Sequence, residues 1–271
     1  LNNICEALQE SSGFVHQWLI AQPSVKEESL TDWLLYDISR KVPSVLYHAF
    51  TRHQEAKETG ADWEWWILFK RVSFCLRVQA KKVSPSKDNY PELARTNRYG
   101  LQIDMLLDGA NKANAIAMYA LYSSQDLPTM CGKPSSRHDG VFLAGASCLN
   151  KDFITGTRRR IDPTDLLSRS VPFPCIACCP LVEGLGVVRM LNFFKKYFAF
   201  ELGIDSERSD TIVIPRGLHS QLPVYVSSLL EFREKGIPDW WEGEFQFRIR
   251  EFNAILIYDF RDWQDAGKRG L

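Results

Sequence analysis

The sequence has no run of about 18 consecutive apolar residues, the length a helix needs to cross a bilayer, so no membrane span is expected. It has no excess of either charge, because 33 Lys and Arg face 33 Asp and Glu. A protein that coats nucleic acid by charge alone is basic, so any nucleic-acid role must rest on a local patch. There is no Walker-type G-x-x-x-x-G-K-[ST], so no nucleotide hydrolysis on a phosphate-binding loop is expected. There is no internal repeat, low-complexity tract or Pro/Gly/Ser-rich linker, which argues against a solenoid or tethered modules. Cysteine is present, but the seven are odd in number and irregular in spacing. That speaks against a disulfide framework and for a reducing compartment. The first residues lack the basic-then-apolar pattern of a signal peptide. The expected location is intracellular: cytoplasmic, or nuclear in a eukaryote.

What is present points to a mixed α/β chain. With 271 residues, 45% of them hydrophobic, it can build one large domain or a core with an appended half. Ile4, Leu8, Val15, Trp18 and Leu19 recur at helical spacing over residues 2–20, with Gly13 as an expected interruption. Leu30, Leu34 and Ile38 fall four apart and predict a second helix over Glu27 to Ile38, with Ser24 as N-cap. Strands are expected at Ser44 to Phe50, in DWEWWILF from Asp62, and in FCLRVQAKKV from Phe74. The last two are joined by a tight hairpin at KRVS. A helix over Leu93 to Ala110 precedes a strand at Ala115 to Ser123, whose nearly continuous apolar run fits burial on both faces. Residues 1–130 therefore read α-β-β-β-α-β. Residues 131–271 read as an α+β half, either completing the same domain or standing beside it. That half holds a strand at Gly140 to Leu149, helices in LVEGLGVVRMLNFFKKYFAF and LPVYVSSLLEFREK, and a late hairpin in FQFRIREFNAILIYDF.

Strand alternation puts Asp62, Glu64 and Trp66 on one face, and Arg77, Gln79 and Lys81 on one face of the next strand. Pairing the two as a hairpin sets Asp62 beside Gln79 and Lys81, with Glu64 near. Mg²⁺, or Mn²⁺, takes hard oxygen ligands and keeps several waters. Asp62 offers a carboxylate, Gln79 an amide oxygen, Ala80 a carbonyl, and Glu64 a ligand for a second metal. Lys81 can hold or deprotonate an attacking water and offset charge on a phosphate. The plain alternative is a strand end with solvated lysines and a turn Asp after Gly60.

These residues carry a resemblance. Gly60-Ala61-Asp62 followed by Val78-Gln79-Ala80-Lys81 resembles the PD-(D/E)xK nuclease superfamily, and within it the Mrr-like branch of restriction endonucleases, where G-x-D precedes Q-x-K. The order of elements over residues 24–125 is similar too. The resemblance implies a restriction-endonuclease-like mixed sheet flanked by helices, with a C-terminal α+β extension. It implies DNA as partner and cutting by a homodimer where both strands are cut. It implies Asp62 and Gln79 as metal ligands and Lys81 at the attacking water. It also implies a Glu on the first core helix; Glu28 is taken, with Glu27 as the alternative that helix phase would decide. Gln79 stands where the superfamily usually has an acid, which weakens metal affinity unless Glu64 or Glu28 compensates. Ala61 stands where Pro is common. The stretch GADWEWW, from Gly60 to Trp66, also resembles a bacterial and fungal family with no assigned activity.

Other features carry less. Arg158, Arg159 and Arg160 in GTRRRIDP, and Lys82 after the Q-x-K motif, are candidate phosphate contacts, as are Lys195 and Lys196. A charge run is more often a solvated face. Cys175, Cys178 and Cys179 lack the second close pair that a zinc site uses, so buried free thiols are expected. Ser147 follows an apolar run, but Leu149 stands where a nucleophile elbow has its closing glycine. The reading is a Mg²⁺-dependent enzyme that hydrolyses phosphodiesters in DNA. A nuclease-like scaffold that binds nucleic acid or protein without catalysis stands second, favoured by the zero net charge and by Gln79. A hydrolase using Ser147 or a Cys stands third.

Overall fold

The computed structural model describes residues 2–50, 60–82, 91–97, 100–132, 138–155, 161–203, 215–233, 235–245 and 252–262. Two helices open the chain, α1 (Asn2–Ala21) and α2 (Glu27–Lys41), followed by strands β1 (Val45–Ala49), β2 (Trp63–Leu68) and β3 (Ser73–Lys82). A 3-10 turn (Pro91–Ala94) and the two-residue strands β4 (Thr96–Asn97) and β5 (Gly100–Leu101) lead into α3 (Gln102–Lys112) and β6 (Ile116–Tyr122). The second half adds β7 (Val141–Gly145), α4 (Ala146–Leu149), a π-helical turn (Asn150–Ile154), α5 (Pro163–Leu167), β8 (Ser170–Pro172) and α6 (Cys175–Cys178). It ends with α7 (Gly186–Tyr197), β9 (Leu218–His219), α8 (Val224–Glu231), α9 (Asp239–Glu244) and β10 (Ala254–Asp259).

The architecture is an open mixed sheet flanked by helices, in the order β1-β10-β2-β3-β6-β7-β8, with β9 beside the start of β3. β10 runs parallel to β2 and β6 parallel to β3; the other neighbours along the sheet are antiparallel. The expected order α-β-β-β-α-β is present from α2 to β6. The division near residue 130 does not appear in the sheet, because β7, β8 and β10 extend the strands of the first half. Among the described residues, no helix is long and apolar enough to cross a membrane.

Side-chain alternation sorts the core into two layers. Trp63, Trp65, Leu76, Val78 and Met118 face a layer built with α1, α2, α6 and α7. Trp66, Cys75, Ala117, Tyr119 and Leu121 face a layer built with α3, α4, α5, α8 and α9. With both faces covered, every residue of β6 is buried, as its apolar run predicts. Leu30, Leu34 and Ile38 of α2 are fully buried, and each such side chain contributes about 1.5–3 kcal/mol.

Several local expectations need correction. Gly13 does not interrupt α1. The residue before α2 is Lys26, not Ser24, and it makes no side-chain cap. The helix expected from Leu93 begins only at Gln102, because the 3-10 turn and the β4-β5 pair occupy its first part. The first arm of the late hairpin, residues 246–251, lies outside the described residues; its second arm is β10, which pairs with β1 and β2. Cys5 and Cys178 form a disulfide between α1 and α6, which the irregular spacing did not suggest.

One glycine sets the entry to the site. Gly60 has a φ of 68°, and a Cβ there would lie 2.7 Å from the Gln102 carbonyl oxygen and 3.0 Å from the Leu106 amide nitrogen. Only glycine allows this approach. It seats the turn before β2 directly on α3, and so fixes where Asp62 starts.

Candidate functional site

The β2-β3 hairpin brings three of the expected residues together. Trp63 pairs with Val78 and Glu64 with Arg77, so one step further the register sets Asp62 opposite Gln79. The Asp62 amide donates to the Val78 carbonyl over 2.8 Å, and Asp62 Oδ2 accepts from the Ala80 amide over 2.7 Å. Asp62 is thus held by the backbone of the Q-x-K segment itself. Gln79 and Lys81 are buried on the α3 side of β3.

The fourth member is Glu27, not Glu28. Glu28 is exposed. Glu27 opens α2 three residues before Leu30 and seven before Leu34, on the stripe that faces the sheet. Its Oε2 accepts from the Lys82 amide over 2.7 Å, and its Oε1 lies 3.7 Å from Lys81 Nζ. Burial, and then the nearby charge of Asp62, push the Glu27 carboxyl from an ordinary 4.5 to about 7, against the pull of Lys81 and of the Lys82 amide.

Two buried polar atoms here have no protein partner among the described residues: Gln79 Oε1 and the Tyr119 hydroxyl. Tyr119 sits beside Gln79 in the β3-β6 ladder. Burial, with the charges of Asp62, Asp104 and Glu27, holds the Tyr119 phenol well above its ordinary range. An unsatisfied buried oxygen costs about 1–3 kcal/mol unless water or an ion meets it. The acids around Gln79 make a field that favours a cation. Gln79, Asp62 and Glu27 are oxygen donors of the hard type that Mg²⁺ or Mn²⁺ takes, so the residues fit such an ion.

Two expected members do other work. Glu64 is 1% exposed and cannot serve as a second-metal ligand, because both its oxygens are occupied. Oε2 accepts from Arg77 Nε and Nη2, each at 3.3 Å; Oε1 accepts from Trp66 Nε1 at 2.7 Å and from the Tyr225 hydroxyl. Arg77 also donates to the Gly109 carbonyl over 3.1 Å, which ties the pair to α3. Lys82 is not a phosphate contact here, since its ammonium donates to the carbonyls of Pro23 at 2.9 Å and Val25 at 2.6 Å. It fastens the turn before α2 and so helps place Glu27. Arg158, Arg159 and Arg160 lie outside the described residues. Lys195 and Lys196 sit in the last turn of α7. Around Ser147, the backbone amides of Ser147 and Cys148 donate to Glu201 at 3.2 and 2.9 Å, so that carboxylate serves as a cap for α4.

A family model covers residues 4–258, from the start of α1 to the last strand. The chain belongs to DUF6615, a family of unknown function. No curated protein matches it. In this DUF6615 chain the matched span contains every residue of the hairpin site and the strand β10 that flanks it.

The raised Glu27 carboxyl has a measurable consequence. In chelator, the native state keeps a proton on Glu27 between pH 4.5 and about 7 that the unfolded chain has released. Stability from this group is therefore full below pH 4.5 and falls as pH rises to about 7. The slope is at most one proton's worth, about 1.4 kcal/mol per pH unit, reduced by the partial exposure of the side chain. Urea unfolding across this range should show the fall in wild type and a flatter profile in Glu27→Gln. Equal slopes in both would remove Glu27 as its source.

Proposed function

We propose that this chain is a metal-dependent phosphodiesterase of restriction-endonuclease-like type, acting on DNA. The observation that carries the reading is the orphaned amide oxygen of Gln79, buried on the strand opposite Asp62 and two residues before Lys81, which pairs with Glu27. Asp62, Gln79 and Glu27 would hold Mg²⁺ or Mn²⁺. The ion would polarise a phosphoryl oxygen and offset the charge that builds in the transition state. Lys81 directs its ammonium protons at an attacking water or a non-bridging phosphate oxygen. Glu27 also orients Lys81, whose ammonium it meets at 3.7 Å. The buried wall of β3 and β6 excludes bulk water from one side of the group, which strengthens each of these interactions.

A second reading has its own support. Lys81 is paired with Glu27 and Lys82 is fastened to two carbonyls, so neither is poised for a phosphate backbone. A scaffold that binds nucleic acid or protein without cutting would tolerate this. One experiment separates the two readings. Supercoiled plasmid, linear DNA and single-stranded RNA are incubated with pure protein and Mg²⁺ or Mn²⁺. The proposal expects metal-dependent cutting of DNA by wild type and none by Asp62→Asn. Binding of either polymer without cutting, in any metal, would favour the scaffold.

A further inference from the structure

The other face of the sheet carries a group of thiols that the hairpin site does not use. Cys131 follows Met130, whose amide is anchored on the Ser170 carbonyl of β8 at 2.8 Å. Cys175 opens α6 and Cys179 closes it. The three sulfurs are buried and lie within 4.8 Å of one another. Cys131 and Cys179 are 3.8 Å apart, too far for a disulfide bond. A tetrahedral ion bound about 2.3 Å from each sulfur would hold its sulfurs about 3.8 Å apart. Cys178 does not join them, because its sulfur is committed to Cys5.

Donors converge on these sulfurs. The Tyr197 hydroxyl, at the end of α7, lies 3.2 Å from Cys179 Sγ and is also hydrogen-bonded to Cys131. The Leu181 amide bonds Cys179, two residues before it. An O–H and an N–H aimed at sulfur are what a thiolate needs, whereas a neutral thiol is a weak acceptor. Arg189 supplies a cation close by. It donates to the carbonyls of Ala177 at 3.1 Å, Cys179 at 2.6 Å, and Val182, so the Cys-bearing loop wraps its guanidinium.

We propose that Cys131, Cys175 and Cys179 bind one thiophilic d¹⁰ cation, Zn²⁺ or Cu⁺, as three thiolates. Soft sulfur ligands select these ions over Mg²⁺ and Ca²⁺. Binding releases the thiol protons to solvent, so affinity rises with pH. For Cu⁺ the three sulfurs suffice; Zn²⁺ would take a fourth donor from water, with the Tyr197 hydroxyl kept as a donor to sulfur. The bound ion would join the loop before β7, α6 and α7 on the face opposite the hairpin. Its role is structural and independent of the phosphodiesterase reading.

The test uses the whole chain handled without oxygen, thiol reductant or chelator, so that the Cys5–Cys178 disulfide stays intact. Zinc content is measured as isolated. Co²⁺ is titrated as a spectroscopic stand-in for Zn²⁺, and Cu⁺ by competition with a coloured Cu⁺ chelator. The expected result is one equivalent per chain, with thiolate-to-cobalt charge-transfer bands. Cys131→Ser, Cys175→Ser and Cys179→Ser should each weaken binding by more than the ~100-fold that a supporting residue costs. Cys75→Ser and Cys148→Ser should leave it unchanged. Tyr197→Phe removes a donor to the sulfurs and should weaken binding of either ion by the roughly 10–100-fold that a supporting residue costs. Where a Ser variant does not fold, alkylation of the native wild type with and without added Zn²⁺ gives the same answer, since the ion should slow the reaction of these three thiols beyond what burial does. No stoichiometric binding of either ion, no protection of thiols, or binding that survives all three substitutions would overturn the proposal.

Discussion

Replacing Arg77 with Met should lower the free energy of unfolding by about 3–5 kcal/mol, the cost of stranding a buried charge. Glu64 and Arg77 face each other across β2 and β3, with side chains 1% and 3% exposed. Each half of the pair is satisfied on all sides: Glu64 by Trp66, Tyr225 and Arg77, and Arg77 by Glu64 and the Gly109 carbonyl. Removing the guanidinium leaves a carboxylate with only two neutral donors in a dry layer. The double variant Glu64→Leu/Arg77→Met should recover part of the loss, because no charge remains to be solvated. The recovery stays partial, since Trp66 Nε1, the Tyr225 hydroxyl and the Gly109 carbonyl lose partners. Urea unfolding of the three proteins measures this. A loss below about 1 kcal/mol in Arg77→Met would show that water reaches the pair.

Lys81→Met should abolish most cleavage, by roughly 10²–10⁴-fold, while leaving metal binding intact or tighter. The substitution keeps the length and apolar stem of a side chain that is 7% exposed, so the fold should hold. It removes the ammonium paired with Glu27 and so increases the negative field around Gln79. Asp62→Asn should act in the opposite sense, weakening the metal first. Calorimetric titration with Mn²⁺, run beside the plasmid assay, separates the two effects. If Lys81→Met cuts as fast as wild type, Lys81 has no part in the reaction. If it loses both metal and cleavage, its role is to hold the site together.

Much of this site could be read from local pattern. The alternation of DWEWWILF and FCLRVQAKKV puts Asp62 opposite Gln79, and the structure has that register. The same register puts Glu64 opposite Arg77, so their pairing was available from the hairpin. A glutamate two residues after Asp62 has the same local pattern as a metal ligand or as a counter-ion, and only the burial of Arg77 beside it decides between them. Glu27 was legible as well: stepping back three residues from Leu30 along the apolar stripe reaches Glu27, not Glu28. Contacts distant in sequence were not legible. Nothing local joins Cys131 to Cys175 and Cys179, or Cys5 to Cys178, because sheet topology alone brings those loops together. β10 was expected as one arm of a hairpin. Its parallel place beside β2 depends on a crossover that periodicity does not report.

That placement governs the order in which the molecule can be made. β10 lies between β1 and β2, yet it is the last strand described in the chain. A ribosome delivers the Asp62 strand long before the strand that closes its open side. Until residues 254–259 emerge, β2 presents an unpaired edge of Trp, Ile and Leu, a template for pairing with other chains. The β2-β3 hairpin thereby gains its second neighbour only near the end of synthesis. A chain cut short before Ala254 would leave that edge open and self-associate through it.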